Sequence, residues 1–79
     1  MRDRYLEVTF RQGRAFAAYL YLPREPGARS VRTEDCGQLL LADYDAAGRP
    51  IGLEITAPRE TTAAEINAVL ERLDVTRAR

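Results

Sequence analysis

Five short stretches of the chain alternate apolar and polar residues with a period of two, and this pattern constrains the fold more than any other feature. In the first stretch, Leu6, Val8 and Phe10 lie on one face and the intervening residues lie on the other. Such alternation is typical of a β-strand with one buried face. The stretches predict strands at about 5–10, 15–22, 29–34, 39–44 and 50–56.

Turn residues separate these stretches and indicate antiparallel hairpins. Gln12-Gly13 joins the first two stretches, and the turn that begins at Asp45 and ends at Gly48 joins the last two. A loop rich in proline and glycine, 23–27, separates the second stretch from the third. The charged residues of the third stretch predict an exposed or edge strand.

The C-terminal segment has the pattern of a single amphipathic helix over about 62–74. Thr62 and Glu65 form a capping box at its start, and apolar residues follow at i, i+3, i+4 and i+7. We therefore expect residues 1–79 to form a single α+β domain: a small, mostly antiparallel β-meander of four to five strands with one C-terminal amphipathic helix packed on one face. The predicted core consists of Leu6, Val8, Phe10, Leu20, Leu22, Leu41, Ile51, Leu53, Ile55, Ile66, Val69, Leu70 and Leu73.

Composition excludes several classes of function. The 12 basic residues, all arginine, balance 12 acidic residues, so no overall positive field favours nucleic acid or anionic membranes. The chain has no histidine, which removes the commonest general base and metal ligand, and its 1 cysteine excludes an intrachain disulfide. Without a long apolar run or a signal-peptide pattern, we expect a cytoplasmic protein that has no cofactor and contacts no membrane.

Two motifs resemble a prokaryotic family. Residues 41–55, LADYDAAGRPIGLEI, contain an acid, an aromatic, a second acid, a glycine turn and an apolar-Gly-apolar-Glu-apolar strand. Upstream, AAYLYL at 17–22 is similar to the strand that precedes this motif in the family. The segment from Ala15 to Thr56 thus resembles the YuzE-like family, domain of unknown function 2283. The motif residues are Asp43, Asp45, Gly48, Gly52 and Glu54.

The resemblance implies a modest set of functional expectations. The family has no established catalytic activity, so no catalytic residue is carried over. Genes of some members lie beside genes for small toxin-like proteins, which implies an antitoxin-like or accessory role and a small toxin-like partner.

The acidic residues of the motif offer an alternative function. Asp43, Asp45, Gly48 and Glu54 have the spacing of positions one, three, six and twelve of a calcium loop. Position five is Ala47, which has no side-chain oxygen, and the flanks are predicted as strands, so surface acids beside a hairpin turn explain the spacing better. The alternative hypothesis is a small enzyme or metal-dependent protein that uses the Asp43/Asp45/Glu54 cluster.

The other reactive candidate is Cys36, which stands beside a glycine in a predicted turn. The sequence has no histidine or lysine that could lower the pKa of this thiol. We therefore interpret Cys36 as a small turn residue rather than a reactive thiol.

Tyr5, Tyr19 and Tyr21 fall on the strand face opposite the apolar residues, and the register leaves open whether Tyr44 joins them. Tyrosines are favoured at protein interfaces, can pack on an ordinary sheet surface, and can stack nucleobases in some RNA-binding sheets. We regard the interface as the leading interpretation and an RNA-binding sheet as the weakest.

The leading functional hypothesis is a non-catalytic protein–protein interaction module that self-associates. A sheet of five strands is about 24 Å wide, whereas a helix about 10 Å across covers less than half of one face. Pairing with a second copy covers such a surface. We therefore expect a homodimer or higher homo-oligomer.

Overall fold

The computed structural model describes residues 5–73, and the predicted last residue of the helix, Asp74, lies outside this range. It contains a five-stranded antiparallel sheet and one helix near the C-terminal end. The elements are β1 (Tyr5–Arg11), β2 (Arg14–Tyr21), β3 (Arg32–Asp35), β4 (Leu40–Tyr44), β5 (Pro50–Ile55) and α1 (Ala63–Arg72). The α+β class with antiparallel strands is therefore confirmed.

The strand order differs from the predicted meander. The sheet runs β1-β2-β5-β4-β3, so β5 rather than β3 lies beside β2. The segment 22–31 carries the chain past two strand positions to the far edge, a distance of about 14 Å at ~4.8 Å per strand. Every residue of β3 is exposed, whereas four of the six residues of β5 are buried. The arrangement thus places the apolar strand in the centre and the charged strand at an edge.

The two predicted hairpin turns are present. Gln12 and Gly13 both have positive φ, 53° and 78°, as a two-residue hairpin turn requires. In the second turn, Asp45 accepts hydrogen bonds from two backbone amides, and Gly48 has a φ of 82°. The third strand begins at Arg32, three residues later than the predicted start.

The buried core lies on the face of the sheet that carries the even-numbered residues of β2 and β4 and the odd-numbered residues of β5. Leu22, Leu53 and Ile55 are buried as predicted, and they form a cluster together with helix residues Val69 and Leu70. Ile51 is also buried. The partly buried residues of the predicted core that pack against this cluster are Val8, Leu20, Ile66 and Leu73.

Three residues of the predicted core are neither buried nor packed against the core cluster. Leu6 and Phe10 are 53% and 64% exposed, because β1 is an edge strand and, among the described strands, pairs with β2 alone. Leu41 is partly buried on the opposite face, and Leu40 fills the core instead. Three consecutive leucines at 39–41 allow either phase of the strand, so alternation alone cannot tell which leucine points inward.

The helix begins with the predicted capping box. The Thr62 hydroxyl accepts a hydrogen bond from the Glu65 amide at 3.1 Å, and the Glu65 carboxylate accepts one from the Thr62 amide at 2.9 Å. At the other end, the Arg72 guanidinium donates to the Cys36 carbonyl oxygen at 2.8 Å. The helix is therefore tied to the loop between β3 and β4.

Candidate interaction surface

A row of residues crosses the face of the sheet opposite the core, from one edge to the other. In the strand register, Tyr5 lies opposite Tyr21, Tyr21 opposite Gly52, Gly52 opposite Asp43, and Asp43 opposite Thr33. Each strand of the sheet contributes one position. We call these five residues, with Tyr19, the tyrosine row.

Within the tyrosine row the aromatic rings contact each other directly. The rings of Tyr5 and Tyr21 are stacked, with centroids 4.6 Å apart, and the rings of Tyr19 and Tyr21 meet edge to face at 4.8 Å. The Tyr21 hydroxyl donates to the Glu7 carboxylate at 2.9 Å.

Tyr44 is not part of the tyrosine row. It lies opposite Arg32 in the strand register, and the Arg32 guanidinium is 4.2 Å from the centre of its ring. Tyr44 is partly buried and packs against the core cluster. The question that the sequence left open is thus settled by the register of β4.

Tyr19 lies across Gly52 and reaches the next strand. A Cβ atom built on Gly52 would lie only 1.8 Å from the Tyr19 hydroxyl oxygen, so a residue with a side chain here would displace the ring. The hydroxyl donates to Asp43 Oδ2 at 2.7 Å, and the Thr33 hydroxyl donates to Asp43 Oδ1 at 2.6 Å. Gly52 therefore provides the space through which Tyr19 reaches a buried carboxylate.

The three residues of this contact all lie in the two motifs that resemble the YuzE-like family. Asp43 and Gly52 belong to the segment that resembles the YuzE-like family, and Tyr19 belongs to the upstream motif. The sequence alone did not connect them, and it did not indicate Thr33 at all. A glycine inside an otherwise regular strand was the available signal, because such a glycine often marks close approach of another group.

The environment of Tyr19 disfavours its ionised form. Burial raises the pKa of the Tyr19 phenol well above its ordinary value, and the hydrogen bond to the Asp43 carboxylate raises it further. The pKa of Tyr21 is also raised, chiefly by its hydrogen bond to Glu7. Both hydroxyls therefore act as hydrogen-bond donors to carboxylates at neutral pH.

The acids of the alternative enzyme site have separate structural partners. Asp43 binds the two hydroxyls of Tyr19 and Thr33, whereas Asp45 accepts hydrogen bonds from the backbone amides of Ala47 and Arg49, each at 2.9 Å. The segments that flank the turn are strands, not the helices of a calcium loop. Among residues 5–73, no three Asp, Glu or Cys side chains are grouped as a metal site would require.

Glu54 lies away from the turn, beside Tyr19 in the strand register. It lines a shallow depression of about 230 Å³ together with Glu7 and Thr9. The depression therefore contains two carboxylates, while the Arg24 guanidinium lies 5.4 Å from the centre of the Tyr21 ring. The charges around the tyrosines are thus mixed and offer no uniformly positive surface to a nucleic-acid backbone, which weighs against the RNA-binding alternative.

Cys36 is half-buried where the chain leaves β3. Burial is the main cause that raises the pKa of its thiol, although the Arg72 guanidinium opposes the shift. A raised pKa leaves less thiolate at neutral pH, and the thiolate is the nucleophile. This environment favours the interpretation of Cys36 as a turn residue.

A second surface is apolar and belongs to the hairpin of β1 and β2. Leu6, Phe10 and Phe16 are exposed by 53%, 64% and 50%. The Arg11 guanidinium lies 4.2 Å from the centre of the Phe16 ring. Several large apolar side chains exposed on one hairpin are typical of a surface that contacts another molecule. We call these three residues the hairpin patch.

Comparisons with models of known families, with curated proteins and with solved structures found no significant match to this chain. The resemblance to the YuzE-like family, and the small toxin-like partner that it implies, therefore stay predictions. In the described range 5–73, no helix has the length and apolar character that crossing a membrane requires.

Proposed function

We propose that this protein is a non-catalytic interaction module that self-associates through its first hairpin. The observation that carries the proposal is the hairpin patch of Leu6, Phe10 and Phe16, each at least half exposed. Leu6 and Phe10 follow the alternation of a buried strand face, yet a single chain leaves them in water. Contact with a second copy would remove this apolar surface from solvent.

The position of the helix also supports the proposal that the hairpin patch is the interface. Val69 and Leu70 share a buried cluster with Leu40 and Leu53 of the central strands. We infer that the helix covers the centre of this face and leaves β1 uncovered. A single chain of this size buries a limited core, so burying the hairpin patch would add substantially to its stability.

The tyrosine row has a different role in this proposal. The hydroxyl groups of Tyr19 and Tyr21 donate to Asp43 and Glu7 of the same chain. They connect the strands of one sheet and offer few free donors to a partner. Tyr5, which is 48% exposed at the edge, is the member of the row that a partner would contact.

A matched pair of variants tests the proposal. Leu6→Lys places a charge in the hairpin patch, whereas Leu39→Lys places the same charge at a leucine of nearly equal exposure, 52%, in a loop outside the patch. Molar mass is measured by light scattering over a range of micromolar concentrations, and circular dichroism checks that each variant is folded. We expect the unmodified protein and Leu39→Lys to have the mass of a dimer or larger assembly, and Leu6→Lys to have that of one chain.

Two results would contradict the proposal. A mass of one chain for the unmodified protein, unchanged on concentration, would show that it does not self-associate. An assembly that persists in folded Leu6→Lys would show that copies meet at some other surface.

A further inference from the structure

The outer edge of β1 differs from the other edge of the sheet. β3, at the opposite edge, has only four residues, and three of them are charged, which is a common protection against pairing with another strand. β1 has seven residues, YLEVTFR, and no strand of the described range 5–73 pairs with its outer side. The irregularity in its pairing with β2 places the extra residue, Phe16, on β2, so β1 itself is unbroken.

The backbone of β1 presents hydrogen-bonding groups to this open edge. The Leu22 amide donates to the Ile51 carbonyl oxygen at 3.1 Å, so the even-numbered residues of β2 direct their backbone groups toward β5. The odd-numbered residues of β2 therefore face β1, and from Tyr21 to Ala17 they pair with odd-numbered residues of β1. It follows that Leu6, Val8 and Phe10 direct their amides and carbonyls outward, away from the sheet.

The outward-directed backbone groups of these three residues can form hydrogen bonds with those of a second β1 strand that is related by a two-fold axis. An axis perpendicular to the sheet makes the two β1 strands antiparallel. Residues that face each other across the pair have their side chains on the same face of the sheet. This condition is met only when the axis passes beside one residue, so that this residue lies opposite its own copy. Glu7, Val8 and Thr9 are the central choices.

Charge and length decide between these three registers. An axis at Glu7 sets two carboxylates directly opposite each other, which is unfavourable. An axis at Thr9 places Leu6 opposite the turn of the other copy, so the strand ends remain unpaired. An axis at Val8 pairs the whole strand and sets Leu6 opposite Phe10 and Tyr5 opposite Arg11, an apolar pair and a cation–aromatic pair.

We infer that β1 pairs with β1 of a second copy in the register centred on Val8, so that the two five-stranded sheets form one continuous sheet. The occupant of the open edge is thus another copy of this chain. About six backbone hydrogen bonds would join the strands, two for each facing pair of outward-directed residues. This inference rests on the proposed self-association and adds its geometry.

Cysteine cross-linking distinguishes the three registers. In a Cys36→Ala background, Glu7→Cys and Thr9→Cys are prepared separately, since both positions are exposed. Each variant is oxidised alone and as an equal mixture, at a concentration where light scattering shows the unmodified protein to be associated. Mass spectrometry then identifies each disulfide-linked dimer. Ala47→Cys, in the exposed turn between β4 and β5, mixed with Glu7→Cys, measures cross-linking by random collision.

We expect the mixture of Glu7→Cys and Thr9→Cys to form the mixed dimer at least tenfold faster than the Ala47→Cys control mixture does. In the Val8-centred register, positions 7 and 9 face each other without backbone hydrogen bonds between them. Their Cα separation is then about 4.5 Å, which is within the range of a disulfide. Each variant alone would bring only diagonal neighbours together, at about 7–8 Å, and should cross-link more slowly.

Each alternative outcome has a distinct meaning. Fastest cross-linking of Glu7→Cys alone or of Thr9→Cys alone would replace the Val8-centred register with one centred on that residue. If the protein is associated but every sample cross-links no faster than the Ala47→Cys control mixture, pairing between β1 edges is refuted, whereas the proposal of self-association still holds. A chain that light scattering shows to be monomeric would refute both proposals.

Discussion

Replacing Gly52 by alanine should destabilise the protein, although the same change in most strands is harmless. Alanine lowers the entropy of the unfolded chain, which alone would stabilise the fold by about 0.4–1 kcal/mol. Gly52 has no positive φ, so its backbone accepts alanine without strain. The Tyr19 ring is the obstacle, because the new Cβ would lie 1.8 Å from its hydroxyl oxygen and must push it aside.

The magnitude follows from what Tyr19 loses. Displacement breaks its 2.7 Å hydrogen bond to Asp43, and a hydrogen bond to a charged group contributes about 1.5–3 kcal/mol. Subtracting the entropic gain leaves a net loss of about 1–2 kcal/mol. Small domains have a total free energy of unfolding on the order of 5–10 kcal/mol, so this loss is readily measured by urea denaturation.

A double-mutant cycle isolates the cause. In a Tyr19→Thr background, which removes the ring and keeps a residue that favours strands, Gly52→Ala should become neutral or stabilising by up to about 1 kcal/mol. The coupling between the two positions is then about 1–3 kcal/mol. If Gly52→Ala stabilises the unmodified protein, or costs the same in both backgrounds, the Tyr19 ring does not occupy the space above Gly52.

Three further predictions concern the core, the pH dependence and metal binding. Leu53→Ala, at a fully buried position, should lower the free energy of unfolding by about 2–5 kcal/mol, whereas Leu39→Ala, at a half-exposed position, should lower it by under about 1 kcal/mol. Equal losses for the two variants in urea denaturation would contradict this assignment of burial. Because the pKa of Tyr19 is raised in the fold, its contribution to stability is complete below the ordinary tyrosine pKa of about 10 and is lost as the pH rises beyond it. Urea titrations between about pH 8 and 11 should show this decline, and Tyr19→Phe should reduce it without abolishing it, because the pKa of Tyr21 is raised as well. Calorimetric titration with calcium, magnesium or manganese should show no saturable binding below the millimolar range, because the Asp43 and Asp45 carboxylates accept hydrogen bonds from their own chain. Binding at one site that Asp45→Ala abolishes would support the metal-dependent hypothesis instead.

Local patterns in the sequence determined the elements of this fold. Alternation over residues 5–10 and 50–56 predicted strands, because side chains on a pleated strand point to opposite faces in turn. The Thr62–Glu65 capping box and the positive-φ turn at Gln12-Gly13 depend on contacts between near neighbours. Such features could be predicted because every group that forms them lies within a few residues.

Strand order and burial were decided by contacts between distant residues. Leu6 and Leu53 both lie on apolar faces of alternating strands, yet Leu53 is buried because β5 is central and Leu6 is exposed because β1 is at an edge. The meander prediction was wrong for the same reason, since nothing local states which strand pairs with β2. The order follows from which strands bury the most apolar surface together, a property of the whole chain.

The contact of Tyr19 with Asp43 across Gly52 shows the same division. Alternation placed the tyrosine on the strand face opposite the apolar residues, and the motif marked the glycine and the acid as a group. That a phenol would cross one strand to reach a carboxylate on the next depended on β5 lying between β2 and β4. The residue types were visible in the sequence, but only tertiary structure supplied the distance, because 24 residues separate the two hydrogen-bonded side chains along the chain.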